Sequence, residues 1–322
     1  MAKTKIQNRP TKNDPILADI PMACADERVA VEFLEKQRWG SVPRCPHCAS
    51  SDVYQMRDSK TGERQANFRW RCRDCKVQYT VRTSTVFEDS RIPLRHWCFT
   101  FWRASTSKKG VSALEIHRQT GISYKSSLFM LNRIRFAMSD STPSPLGPGG
   151  GDVEVDEVYI GGKPRNKGHN KRGRGTNKQP VLGMAERGDM VKTIPIANVT
   201  GATLKQAIRD NINVNARIIT DENSAYHGIG EEYGGGHETT CHSAREYVRG
   251  DIHGNTIEGF FSLVKRGING IYHSVSKEHL HRYLAEFEFR YNHREISDGQ
   301  RTKAAILASA GKRLTYKETV YV

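Results

Sequence analysis

The chain has 322 residues, 37% hydrophobic and 26% charged, enough apolar material for the cores of two or three domains and too much for a disordered polymer. Fifty Lys and Arg against thirty-five Asp and Glu leave a formal charge of +15, an excess that points to a polyanionic partner, nucleic acid above all. No apolar run approaches the ~20 residues that span a bilayer, and Met1-Ala2-Lys3-Thr4-Lys5 is not followed by an apolar core, so neither a membrane protein nor an exported disulfide scaffold is expected.

Residues 1–25 read as a basic flexible arm, with Lys3, Lys5, Arg9 and Lys12 around Pro10. Residues 26–90 form the next block. Asp26 has the character of an N-cap for a helix bearing Val29, Phe33 and Leu34, which ends near Trp39-Gly40. Two C-x-x-C pairs follow, Cys45/Cys48 and Cys72/Cys75. Between and after them lie short aromatic and β-branched stretches broken by turns, such as Val53-Tyr54-Gln55-Met56, Phe68-Arg69-Trp70-Arg71 and Gln78-Tyr79-Thr80-Val81. Cysteine knuckles joined by small strands describe a zinc ribbon. Four thiolates fill a tetrahedral Zn²⁺ shell and leave no position open to water, so the site is structural. Cys24, Cys98 and Cys241 are scattered and receive no role.

Residues 91–138 change to helical spacing, with Leu94, Trp97, Phe101 and Trp102 on an apolar face. The run from Val111 to His117, the turn Thr120-Gly121-Ile122-Ser123 and the run from Ser126 to Arg135 then read as a helix-turn-helix. Lys125, Arg133 and Arg135 on or near its second helix are expected to reach DNA. Residues 139–151, rich in Pro and Gly, read as a linker.

Beyond it, Val153 to Ile160 alternates as a strand, Val181 to Ala185 and Val191 to Val199 form two more, and Thr200 caps a helix through Leu204 and Ile208. Ala216 to Asp221 is a short buried strand ending on an acid. Asn255 or Thr256 then caps a helix through Ile257, Phe260, Phe261 and Val264, and a last helix carries Leu280, Leu284 and Phe287. This order of elements is α/β, or α+β, with a mixed sheet. Asp156, Asp221 and Glu258 are the acids that matter here. Carboxylates at the ends of buried strands cost several kcal/mol of desolvation unless a cation offsets it, and three that converge hold divalent ions as two-metal phosphoryl-transfer sites do. From Gly161 to Pro180 the chain is a basic loop, with Lys163, Arg165, Lys167, Lys171, Arg172, Arg174 and Lys178 and no acid, suited to tracking a DNA backbone beside Asp156. The spacing of His237, Cys241 and His242 is not that of a metal site.

The chain resembles the transposases of bacterial insertion sequences, in the group with an N-terminal zinc ribbon and a DDE catalytic domain of RNase H-like fold. The resemblance is carried by Cys45-Pro46-His47-Cys48 with Cys72-Arg73-Asp74-Cys75, by Val155-Asp156-Glu157-Val158-Tyr159-Ile160-Gly161-Gly162-Lys163, by Thr220-Asp221 with Ser224-Ala225-Tyr226, and by the segment Asn255 to Gly267. It implies residues 152–310 as the RNase H-like domain and 311–322 as a tail. It also implies Asp156, Asp221 and Glu258 as ligands of two Mg²⁺ or Mn²⁺ ions, and Lys265, with Arg266 beside it, as a contact to DNA near the reacting end. Lys265 falls two helical turns after Glu258 and on the same face. Asn255, the rival for the third metal position, is read as an N-cap.

The function so implied is transposition: binding of terminal repeats, hydrolysis of double-stranded DNA ends and strand transfer into target DNA, without a covalent protein–DNA intermediate. A homo-oligomer on paired ends and a cytoplasmic, nucleoid-associated location go with it. The alternatives from the residues alone are a non-enzymatic zinc-ribbon DNA-binding regulator, such as a decayed transposase, and an RNase H-like nuclease.

Overall fold

The computed structural model describes residues 14–139, 144–161, 178–244, 246, 248–315 and 317–318. The chain divides into two units, one made of residues 1–107, 111–138 and 295–322, the other of residues 108–110 and 139–294.

The first unit opens with helix α1 (Pro15–Ala25), where an arm through residue 25 was expected. Asp14 caps it by accepting from the Ile16 N–H at 2.9 Å, and Pro15 sits in the first turn, where its missing N–H costs nothing. Helix α2 (Glu27–Trp39) starts on Asp26 as expected, its carboxylate accepting from the Val29 N–H. The ribbon is a three-stranded antiparallel sheet, β1 (Val53–Gln55), β2 (Trp70–Cys72) and β3 (Gln78–Tyr79). Helices α3 (Leu94–Thr106), α4 (Ala113–Thr120) and α5 (Tyr124–Met138) follow. Trp97 and Phe101 of α3 are wholly buried, with ring centroids 5.3 and 5.6 Å from that of Phe87. Gly121 ends α4 with φ +74°, the left-handed cap that makes the tight turn into α5.

The second unit is built on a five-stranded sheet with helices on both faces. Its elements are β4 (Asp152–Ile160), β5 (Gln179–Glu186), β6 (Val191–Pro195), α6 (Gly201–Asn211), β7 (Arg217–Asp221), β8 (His237–Thr240), the small hairpin β9 (Val248–Arg249) and β10 (Ile252–His253), α7 (Asn255–Gly267) and α8 (Leu280–Asn292). The sheet order is β6-β5-β4-β7-β8, antiparallel across β6-β5-β4 and parallel across β4-β7-β8. This is the expected RNase H-like mixed sheet. Strand β8 had no clear signal: its residues His237-Glu238-Thr239-Thr240 are polar, and it pairs at the edge of the sheet. Residues 144–151, expected as bare linker, are anchored by Leu146, 3% exposed, which exchanges backbone hydrogen bonds with Asn211 and Asn213.

Alternation along β4 sorts its side chains between two cores. Val153 and Val155 pack with Leu204 and Ile208 of α6, while Val158 and Ile160 pack with Ile257, Phe260, Phe261 and Val264 of α7. Asp156 shares the α7 face with Val158. Directly across the ladder from Asp156 is Gly183 on β5, where a Cβ would lie 2.4 Å from the Phe261 ring and 2.7 Å from Ile257. The glycine therefore lets α7 lie close against the sheet. Gly183→Ala is expected to cost about 1–3 kcal/mol of stability, the usual penalty of overpacking, read from urea unfolding; an unchanged midpoint would mean that α7 yields freely there.

Helix α9 (Asp298–Leu307) belongs to the first unit rather than to the catalytic domain expected through residue 310. The reason is its packing: the buried Thr302 hydroxyl lies 2.9 Å from that of Ser105 on α3. Among the described residues no helix is long and apolar enough to cross a membrane.

Candidate active site and metal centre

The four ribbon cysteines come together as their spacing requires. Their sulfurs all lie within 4.8 Å of one another, with Cys45–Cys75 and Cys48–Cys72 each at 3.6 Å. The two knuckles are held by a small apolar cluster of Cys45, Trp70, Cys72 and Tyr79, against which Trp39 of α2 packs edge-on at 5.6 Å from Trp70. Glu35 of α2 reaches into the ribbon, where it accepts from the Trp70 indole N–H at 2.8 Å and pairs with Arg64. Burial pushes the Cys72 thiol up, but the N–H groups of Cys75 and Asp74 and the neighbouring thiols outweigh it and bring it down to about 7. Among the described residues, no other group of three or more His, Cys, Asp or Glu brings its ligand atoms so close together.

The acids of the second unit are arranged by sheet register. The parallel pairing of β4 with β7 sets Glu154 opposite Ile219, so two residues further on Asp156 and Asp221 stand level on adjacent strands and on the same face. Asp221 ends β7 and accepts from the Asn223 N–H at 3.0 Å. Glu258 is exposed in the first turn of α7. A cavity of about 730 Å³ is lined by Asp156 and Glu258 together with Lys265, Arg266, Phe261 and Ser262. Asp221 lies off that lining, one strand over. Burial first, then the negative charges of Glu157, Asp221 and Glu258, push the Asp156 carboxyl up to about 7. Asp156 thus feels both other carboxylates, yet the three do not gather as closely as the thiols.

The start of α7 differs from expectation. Its N-cap is Gly254, and neither Asn255 nor Thr256 caps it with a side chain. The carboxylate of Glu154, which has no exposed surface, does so from β4, accepting from the N–H groups of Thr256 at 2.7 Å and Ile257 at 3.0 Å and from the Thr256 hydroxyl at 2.9 Å. Arg187 donates to the same group from 2.8 Å. Sequence reasoning passed over Glu154 because a glutamate alternating with valines reads as the solvent face of a strand.

The basic residues divide. Lys265 and Arg266 are exposed in the last turn of α7. Lys125 is exposed near the start of α5. Arg133 and Arg135 are 5% and 1% exposed, which corrects their assignment to DNA. The Arg133 guanidinium donates to the carbonyls of Val86 and Glu88 at 2.8 and 2.7 Å, and Arg135 donates to Asn132, so both serve the interior of the first unit. A charge count along a helix does not reveal which face the rest of the chain covers. Lys163, Arg165, Lys167, Lys171, Arg172 and Arg174 lie outside the described residues; Lys178 lies just before β5. His237 is taken up by the Thr220 hydroxyl at 2.8 Å.

Comparison with known proteins agrees with this arrangement of parts. Residues 149–292 match a family described as the ISXO2-like transposase domain, and residues 25–78 match the transposase zinc-ribbon domain. A protein of Halobacterium salinarum, described as an uncharacterized protein in transposable element ISH50, is 31% identical over 280 residues, covering 82% of this chain and 90% of its own. A four-cysteine ribbon and a mixed sheet that sets Asp156 level with Asp221 therefore sit within a relationship that spans most of the chain, and the protein belongs to the family of ISXO2-like transposases with an N-terminal zinc ribbon.

Proposed function

We propose that the protein binds the terminal repeats of its element, hydrolyses DNA at their ends and joins them to target DNA, with Asp156, Asp221 and Glu258 holding two Mg²⁺ or Mn²⁺ ions and the four cysteines holding a structural Zn²⁺. One observation carries the reading: Asp156, its carboxyl driven up by burial and then by acidic neighbours, shares a cavity with Glu258 and with the exposed cations Lys265 and Arg266. A half-buried acid surrounded by acids is unstable alone and suited to a hard divalent cation with oxygen ligands.

When bound, such ions would activate water or a DNA 3′-hydroxyl and neutralise the departing oxygen in an in-line displacement. The chain's own residues do the rest. Asp156 and Asp221 supply fixed negative charge from a rigid sheet, Glu258 closes the set from α7, and Lys265 and Arg266 set the phosphodiester against them. No side-chain nucleophile is needed.

The test is purified protein with Mg²⁺ or Mn²⁺ and a DNA end, scored first for cleavage and then for strand transfer. Both activities are expected. Cleavage without joining favours a nuclease, and binding without cleavage a regulator. Lys265→Ala is expected to weaken binding and to lower the slope of log affinity against log salt by ~0.9, the loss of one phosphate contact; an unaltered slope would remove Lys265 from the DNA interface.

A further inference from the structure

Strand β4 carries Glu154, Asp156 and Glu157 within four positions, and the three acids meet different fates. Asp156 accepts from the backbone N–H of Glu157 at 2.8 Å and, with Glu157 beside it, lines the cavity. Its two acidic neighbours are engaged by other elements. Both oxygens of Glu154 are used: one takes the N–H groups of Thr256 and Ile257, the other the Thr256 hydroxyl and the Arg187 guanidinium. Both oxygens of Glu157 are used as well, one by the Asn223 side-chain amide at 2.7 Å and the other by the Tyr226 hydroxyl at 2.5 Å. Tyr226 is wholly buried, so its hydroxyl has little choice of partner.

The segments these two glutamates hold are the ones that carry the other acids. Ile257 immediately precedes Glu258, and the Asn223 backbone N–H donates to Asp221 itself. We propose that Glu154 and Glu157 are positioning residues, Glu154 locking the first turn of α7 so that Glu258 stands beside Asp156, and Glu157 locking the segment after β7 so that Asp221 does. The proposal rests on the metal-triad reading given above and assigns the flanking acids a task in it.

Geometry explains why such clamps matter. A slide of α7 by one residue moves it 1.5 Å and turns it 100°, which takes Glu258 off the site, whereas ligand groups must be held to within about 0.5 Å. An ordinary side-chain cap from Asn255 or Thr256 would stabilise the helix but leave its position on the sheet free. A cap delivered from β4, two residues before Asp156, makes that position a function of the strand that holds the central carboxylate. Burying a carboxylate for this purpose is costly, and the Arg187 guanidinium and three N–H and O–H donors offset the cost.

The experiment compares the full-length protein with Glu154→Gln, Glu157→Gln, Thr256→Val and Tyr226→Phe. The last two each delete one hydroxyl and leave the glutamates in place, so they carry the test should a glutamine variant fail to fold. Mn²⁺ binding is measured by calorimetry without DNA, the Mg²⁺ dependence of end cleavage separately, and thermal melting alongside. The glutamine variants are expected to bind Mn²⁺ ~10–100-fold more weakly and the hydroxyl deletions ~3–10-fold more weakly, in line with losses of outer-shell partners at metal sites. The Mg²⁺ needed for half-maximal cleavage should rise in parallel, more than the rate at saturating metal falls. Folded variants that bind Mn²⁺ as tightly as the parent would overturn the proposal. An Asp156→Asn protein that still bound Mn²⁺ normally would instead overturn the triad reading, and this inference with it.

Discussion

Replacing Asp156 by Asn is expected to reduce DNA-end cleavage and strand transfer by about a thousandfold or more, because removal of a charged ligand from a metal site forfeits several kcal/mol of transition-state stabilisation and each 1.36 kcal/mol is tenfold in rate. DNA binding should persist, since the cations that face the cavity are untouched. The same substitution is expected to stabilise the metal-free protein. The Asp156 carboxyl is raised from its ordinary 3.8 to about 7, so the folded state holds a proton there that the unfolded chain has released. Stability from this group is therefore fully present below pH ~4 and is lost as pH rises through about 7. Asn does not titrate, so the variant's advantage without metal should grow between pH 5 and pH 8, reaching about 1–2 kcal/mol once solvent screening at a half-buried carboxyl is allowed for. Mg²⁺ should raise the melting temperature of the parent and not that of the variant. A parent and variant with the same pH profile, or a variant that still joins ends, would remove Asp156 from the centre of the site.

Removal of zinc is expected to unfold the ribbon. Its apolar cluster is Cys45, Trp70, Cys72 and Tyr79 with a few half-buried neighbours, too little to fold by burial alone, and two of those four residues belong to the cysteine cluster. Structural Zn²⁺ contributes ~10–16 kcal/mol of apparent binding energy in small zinc domains. Chelation, or Cys72→Ser, should therefore reduce bound zinc from one per chain to nearly none. It should also open Arg57 and Arg69 to trypsin and shift Trp39 and Trp70 fluorescence to the red, since those rings now meet edge-on. A protein purified without zinc whose ribbon still resisted trypsin would overturn the assignment.

The parts of the molecule legible from residues were those with a short physical rule. The C-x-x-C pairs brought their sulfurs together because each knuckle places two thiols on one turn. Strand β4 was readable from its alternation, α2 from Asp26 at its cap, and α6 from Thr200, whose hydroxyl accepts from the Thr203 N–H. Helix α1 was missed because the basic stretch around Pro10 was read as an arm running through residue 25; Pro15 sits harmlessly in the first turn, and the helix carries Pro21. Arg133 and Arg135 were misread because local sequence gives their charge and not their burial.

The residue order by itself determined that there would be a cysteine cluster, a strand presenting Asp156, a strand ending in Asp221 and a helix opening near Glu258, since cap chemistry and hydrophobic period act over a few neighbouring positions. Only the tertiary structure decided how these acids are held: β7 pairs with β4 in a register that sets Asp221 level with Asp156, and Gly183 lets α7 approach. It also decided that Glu154 and Glu157 turn to partners about a hundred and about seventy residues away, respectively. Pairing register and the satisfaction of buried polar groups depend on contacts between distant segments, and no local pattern carries that information.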